Sequence, residues 1–463
     1  MRPDELTETA LAASKADGCL VMVTEASDAN LRWANSTMTT NGHTTSRQFS
    51  VISVLGDSVG VVGGTGTGAD EVRAVATASE DAARQSGPAR DVAPLVEGGA
   101  DADFAEPAAH TSIGVFAHLA GELAAAFDSG RRAGHLLYGF AEHRLETVWL
   151  ASSTGLRRRW VQPTGTVEIN GKVADDLTRS AWVGACPADF TTVDLGELVG
   201  ELGRRLDWSA RRTQLPAGRY ETILPPSATG DLMIDLVRAM DGRPAHEGRS
   251  AFAAPAGAEG ATRIGERLTD LPLTLASDPA APGMESEPFL TTTASGDEVS
   301  VFDNGAPLHR TEWLRDGTIG ALAYPRAAAA EFGTEFTAPP GNLLLSVDHA
   351  GAGSAAAVDD MVARTERGLL LTCLWYIREV DPASLLLTGL TRDGVYLVEG
   401  GEVVAQVNNF RFNESPLDLV RRTTEVGATQ RTLCREWKDW FTRTAMPPIR
   451  VPDFNMSSVS QAS

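Results

Sequence analysis

TERGLLLTCLWYIREVDPASLLLTGLTRDGVYLVEGGEVVAQVNNFRFN, Thr365 to Asn413, packs three readable strands into one short stretch. Leu369 to Ile377 (LLLTCLWYI) is a continuous apolar run, the pattern of a strand buried on both faces. Arg378-Glu379 interrupts it, and Asp381-Pro382 marks a turn. Ser384 to Thr388 leads through Arg392-Asp393-Gly394 into Val395 to Val398. Gly400-Gly401 then closes a tight hairpin onto Val403-Val404. Asn408 to Asn413 (NNFRFN) ends the unit with alternating polar and aromatic residues.

Before this stretch, Tyr220 to Pro226 (YETILPP) reads as a strand and Ser227 as the cap of a helix over Ala228 to Met240. Leu232, Met233, Leu236, Val237 and Met240 form its apolar stripe. Leu271 to Ala276 is a further strand, and Val301 to Arg326 reads as two strands around Arg315-Asp316-Gly317. Gly351 to Val362 is expected as a helix. The tail from Arg435 is aromatic and proline-rich, and is expected to lie across the surface or at an interface. Towards the N-terminus, helices are expected at Glu5–Ala16, Asp70–Arg84, Ser112–Gly130 (Ser112 as N-cap) and Leu195–Ala210. Between them, short alternating segments separated by Asn-Gly and Gly-Asp turns from Cys19 to Gly63, and again from Leu136 to Val183, predict an antiparallel meander. The fold class is therefore α+β: an N-terminal helix and antiparallel-sheet domain over 1–210, and a larger β-rich C-terminal domain over 220–463. The boundary falls in Arg211 to Tyr220, where charge and proline break the pattern.

A net charge of −21 gives no general attraction to phosphate backbones, so nucleic acid is not an expected partner. No run approaches the roughly 18 to 20 apolar residues needed to span a bilayer. The N-terminus lacks the apolar core of a signal peptide. The scattered Cys19, Cys186, Cys373 and Cys434 suit a reducing cytoplasm better than a disulfide framework. Gly63 to Gly68 (GGTGTG) lacks both the G-x-G-x-x-G spacing and a P-loop lysine, and reads as a turn feeding a helix.

The opening stretch resembles the C-terminal core of the TldD/PmbA family. Arg367-Gly368, the Asp381-Pro382 corner, the Gly394 to Glu402 hairpin and Asn409 to Asn413 follow in the family's order. Trp33 to Ser36 (WANS) and the Asp303-Asn304-Gly305 turn resemble it as well. Metal-bearing members share an H-E-x-x-x-H helix, which presents two imidazoles to zinc and a carboxylate to the attacking water. In the matching helix here, Ile234 and Asp235 stand at the first His and the Glu, and Ala239 at the second His. His246-Glu247 begins like a zincin motif, but positions 250 and 251 hold Ser250 and Ala251. Pro244 and Gly248 there argue for a loop. His43, His110, His118, His135, His143, His309 and His349 form no ligand pair, although His110 and His118 are placed on one helix. Cys434 lies where metal-bearing members carry a ligand cysteine, without their flanking glycines. Both it and Cys373 read as buried hydrophobes.

The resemblance implies a TldE (PmbA)-type subunit, with no cofactor of its own, in a cytoplasmic heteromer. Zinc would come from a TldD-type, HExxxH-bearing partner, and the substrate would be an unstructured peptide held as an added β-strand. Arg367, Arg378 and Arg411 are candidates to bind a peptide carboxylate, or to close salt bridges at strand ends. Asn408, Asn409 and Asn413 are candidates to bind peptide backbone, or to satisfy turns. Two other readings stand beside this one: a self-sufficient peptidase with an unrecognised metal site, and a non-enzymatic peptide-binding protein.

Overall fold

Alternation of apolar and polar residues from Gly18 onward builds strands much longer than the short segments expected. The computed structural model describes residues 1–255, 261–347 and 356–460. β1 (Gly18–Ala34), β2 (Thr37–Leu55), β3 (Ser58–Gly64), β4 (His135–Ser152), β5 (Arg157–Val173) and β6 (Asp176–Ala185) form one antiparallel sheet. Its order is β3-β2-β1-β4-β5-β6. The expected Asn41-Gly42 turn lies inside β2. The chain reverses instead at Asn35-Ser36, both in the left-handed region at φ 50° and 54°. Tertiary contacts select that turn, because Ser36 N donates to Leu137 O and Ser36 Oγ accepts from Leu137 N.

Helices α1 (Pro3–Ala13), α2 (Ala69–Gln85), α3 (Ala117–Arg132) and α4 (Leu195–Trp208) cover one face of this sheet. Val21, Val23 and Trp149 pack under α1 and α2, while Leu31, Trp33, Ala141, Val167 and Ile169 pack under α3 and α4. Ser112 caps a short 3-10 turn at Ile113–Phe116 rather than α3 itself, and His110 precedes both. On the opposite face Leu20, Ile52 and Leu150 pack against Phe289 and Phe302 from the second half of the chain.

That second half continues with β7 (Arg212–Thr213), β8 (Gly218–Leu224), α5 (Pro226–Arg238), α6 (Gly242–His246) and β9 (Leu273–Ser277). Next come β10 (Thr311–Arg315), β11 (Thr318–Ile319), α7 (Arg326–Phe332), β12 (Leu343–Val347), α8 (Val358–Ala363) and β13 (Arg367–Leu371). β14 (Leu374–Asp381), β15 (Leu386–Thr391), β16 (Val395–Glu399), β17 (Glu402–Val407), β18 (Phe410–Glu414) and α9 (Pro416–Arg422) complete the opening stretch and its exit. The tail supplies β19 (Glu425–Val426), β20 (Gln430–Thr432), β21 (Thr444–Met446), β22 (Ile449–Met456) and β23 (Ser458–Val459). These strands form three sheets, ordered β11-β10-β9-β12-β21-β20, β19-β22-β8-β13-β16-β17-β7 and β14-β15-β18-β23.

Four expectations are corrected. The apolar run Leu369 to Ile377 is two strands in different sheets, β13 and β14. The chain breaks away at Thr372, whose N–H donates to Gly394 O, and Tyr376 adopts φ 55°. Leu369 to Leu374 are buried on both sides of the break, so the sequence carries no charged mark of it. Ser227 does not cap α5, which begins at Pro226, where the ring's fixed φ suits a first helical residue. His246 closes the short helix α6 instead of sitting in a loop, its ring stacked 4.0 Å from Phe332. The tail is woven into all three sheets, not laid across the surface. The start of the helix expected over Gly351 to Val362 lies outside the described residues, as does His349, and its described part is α8. Among the described residues no helix is long and apolar enough to cross a membrane.

Candidate functional site

α5 is a core helix. Leu232, Met233, Leu236 and Val237 are buried among Leu275, Trp313, Leu345 and Met446. Two acids interrupt its apolar surface one turn apart, Asp231 and Asp235. Asp231 is fully enclosed, its Oδ1 accepting from Glu436 N at 2.9 Å, and its backbone oxygen accepts from Trp437 Nε1 at 3.2 Å. Burial drives its carboxyl well above the usual range, opposed by the Glu436 N–H and reinforced by the Glu436 and Asp235 carboxylates. Burial likewise pushes Asp235 up to about 7, with Arg238 opposing. The Oδ2 atoms of both acids are buried without a partner among the described residues.

The segment between β20 and β21 links α5 to the rest of the molecule. The Glu436 carboxylate accepts from Tyr376 N at 2.8 Å, from Ile377 N at 2.9 Å and from Arg378 at 3.1 Å, so it holds the irregular start of β14. The Arg435 guanidinium lies between Trp182, 5.2 Å away, and Trp375, 4.7 Å away, and reaches Glu168 at 3.4 Å. Lys438 reaches the same Glu168 at 2.8 Å. Beneath the segment, against β4 and β5, lies a cavity of about 280 Å3. Trp440, in the same segment, has 83% of its surface exposed.

The residues singled out in the sequence fall in different places. Ile234 is 2% exposed in the core, Asp235 neighbours Asp231, and Ala239 ends α5. Arg378, Thr388 and Asn413 occupy one rung across β14, β15 and β18, and Arg411 donates to the same Thr388 hydroxyl at 3.3 Å. Arg378, Asn413 and Arg411 therefore share a sheet face, whereas Arg367 is on β13 in another sheet, 3.4 Å from Glu399. Asn408 accepts from Leu215 N at 2.8 Å, Asn409 from Thr391 at 3.4 Å, and Asn413 from Thr388 at 2.9 Å. Sequence reasoning missed Asp231, Arg435, Glu436 and Lys438. The one available signal was a pair of acids at i, i+4 within an otherwise apolar helix stripe.

These residues do not suit a zinc ion. Isoleucine and alanine carry no donor atom, and zinc takes thiolate, imidazole or carboxylate ligands. Cys434, which packs against Gly230 of α5, is buried with its Sγ 3.4 Å from Thr444 Oγ1. Burial drives its thiol far from the thiolate form a metal needs. Among the described residues no group of three or more His, Cys, Asp or Glu side chains could hold a metal ion.

Residues 217–458, which include α5, β14 and the Arg435–Lys438 segment, match the family model of the PmbA/TldA metallopeptidase C-terminal domain. The chain belongs to the PmbA/TldD metallopeptidase family. This PmbA/TldD chain shares its α+β fold over almost its whole length with solved structures. TldE from Thermococcus kodakarensis superposes with a TM-score of 0.78 at 15% identity, covering 98% of this chain and 99% of that one. A candidate modulator of DNA gyrase from Bacteroides thetaiotaomicron gives 0.77 at 12% identity, covering 98% of each. A second candidate gyrase modulator, from Thermotoga maritima, gives 0.73 at 16%, covering 98% and 99%. No curated protein matches the chain in sequence.

Proposed function

We propose that this PmbA/TldD chain is a TldE-type subunit that works in the cytoplasm beside a TldD-type, HExxxH-bearing partner and holds an unstructured peptide for that partner's zinc to act on. The observation that carries this reading is the donor chemistry of α5, with Ile234 and Ala239 at the two histidine positions and a single carboxylate, Asp235, between them. A chain built this way contributes scaffold and substrate contacts rather than a metal. β14 is an edge strand of its sheet, with Tyr376 and Val380 exposed, and suits the addition of an extended peptide. Arg378, Arg411 and Asn413, on one face of that sheet, are the side chains placed to meet such a peptide. Arg367, Asn408 and Asn409 serve it only through the fold they stabilise.

The test is co-expression with an HExxxH-bearing homologue, followed by zinc analysis and cleavage of an unstructured peptide. The complex is expected to hold zinc and cleave, and to stop cleaving when the partner's motif glutamate becomes glutamine. Stoichiometric zinc and peptidase activity in this chain alone would overturn the proposal in favour of a self-sufficient enzyme. Peptide binding without recruitment of any such partner would favour a non-enzymatic binding protein.

A further inference from the structure

The face of β4 and β5 turned away from α3 and α4 carries a charge that the fold leaves unmatched. Strand register sets Phe140 opposite Glu168, Glu142 opposite Thr166 and Arg144 opposite Thr164. These six side chains floor the 280 Å3 cavity, and Leu433, Lys438 and Asp439 roof it. The cations here are already engaged. Lys438 lies 2.8 Å from Glu168 and 3.3 Å from Asp439, and Arg144 lies 2.6 Å from Glu146 and 3.2 Å from Asp28. Glu168 also accepts from Trp182 Nε1 at 3.1 Å and pairs with Arg435. Of the charged groups lining the cavity, Glu142 alone has no ion pair and no side-chain hydrogen bond among the described residues. Burial, and then the neighbouring Asp28, raise its carboxyl above the usual range, with Arg144 opposing. A half-buried carboxylate in that position gains most from a cation brought in by a ligand.

We infer that this cavity binds a cationic amine, with Glu142 as its counter-ion and the apolar stem of the ligand lying against Phe140 and Leu433. The amine is the ammonium of a lysine side chain or of a peptide N-terminus; the two share their chemistry. An anion is disfavoured, because the acids around the cavity outnumber the cations. A divalent ion is disfavoured too, because it takes several oxygen ligands where one free carboxylate is offered. The volume suits one side chain, being at the lower end of what ligand pockets enclose. The identity of the larger ligand as a peptide rests on the function proposed above; the preference for an amine does not.

Isothermal titration of the full chain tests this with glycine-rich pentapeptides blocked at both ends and differing at one position, which is lysine, norleucine or glutamate. A fourth peptide carries norleucine and a free N-terminus. The lysine peptide is expected to bind at least about tenfold tighter than the blocked norleucine peptide, as a charge-assisted contact in a partly dry site allows. The glutamate peptide is expected to bind weakest. Recovery of binding by the free N-terminus assigns the site to chain ends, and its absence assigns it to lysine side chains. Glu142→Gln should bring lysine down to the norleucine level. Thr166→Lys, which sets a built-in ammonium directly opposite Glu142, should do the same while melting at or above the wild-type temperature. Equal binding of lysine and norleucine, a preference that survives both substitutions, or no binding of any peptide would overturn the inference. Amine selectivity without recruitment of an HExxxH partner would sink the proposed function and leave this site standing. Cleavage by the complex without amine selectivity would do the reverse.

Discussion

Asp235→Asn isolates what it costs to keep a carboxyl inside α5. The folded-state value lies at about 7, against an ordinary value of about 3.9. Because the folded value is the higher one, the stabilisation from the neutral acid is complete below about pH 3.9 and is lost as pH rises through about 7. Each unit corresponds to about 1.4 kcal/mol, so the interval from pH 5 to pH 7 carries between 2 and 3 kcal/mol, to order of magnitude. Asp231 shares the enclosure and is coupled to Asp235, which trims the expected change to about 2 kcal/mol. Asparagine keeps the shape and does not titrate. Urea unfolding of both proteins, followed by tryptophan fluorescence at pH 5, 6, 7 and 8, should show the variant gaining on the wild type by about that amount between pH 5 and 8, with no further gain above. Other raised acids, such as Asp241 and Glu287, are present in both proteins and cancel in the difference. A difference that stays flat with pH, or one that favours asparagine more at pH 5, would refute the placement of this carboxyl in a dry enclosure.

Gly230→Ala should destabilise by about 1–2 kcal/mol, despite alanine's better helix propensity, because its Cβ would sit 2.3 Å from Cys434 Sγ. Pairing it with Cys434→Ala should return part of that loss in a double-mutant cycle, and strict additivity would contradict the contact. Arg435→Met keeps the stem between Trp182 and Trp375 but removes the cation from both rings and from Glu168, for an expected loss of about 2–4 kcal/mol in chemical denaturation. Glu436→Gln leaves two backbone donors of β14 sharing one weaker acceptor. It should cost about 1–3 kcal/mol and speed amide exchange at Tyr376 and Ile377.

What was legible in the sequence is what local chemistry decides. Gly400-Gly401 turns β16 onto β17 because both residues sit in the left-handed region, at φ 60° and 84°, where glycine carries no penalty. The α5 stripe shows equally well, since Leu232, Met233, Leu236 and Val237 recur at helical spacing and all four are buried. The break at Thr372 was hidden because an apolar run looks the same whether it serves one sheet or two. The Asn35-Ser36 turn competed with a stronger Asn41-Gly42 signal, and a distant backbone at Leu137 decided between them. Glu142 gave no signal at all. A glutamate on a strand of alternating polarity reads as solvated until the residues that roof it, almost three hundred positions later, are in place.

The Arg435–Lys438 segment is where these separate observations meet. Arg435 and Lys438 face the N-terminal sheet through Glu168, while Glu436 and Trp437, between them, face α5 through Asp231. Four consecutive residues thus tie the core helix α5 to the sheet that floors the cavity. The same Glu436 that approaches Asp231 also holds Tyr376 and Arg378 at the open edge of β14. A peptide laid along that edge, or an amine seated against Glu142, would touch a segment that α5 already grips on its other side. α5 therefore has a definite structural task, which is to fix from behind the segment on which the cavity and the strand edge both depend.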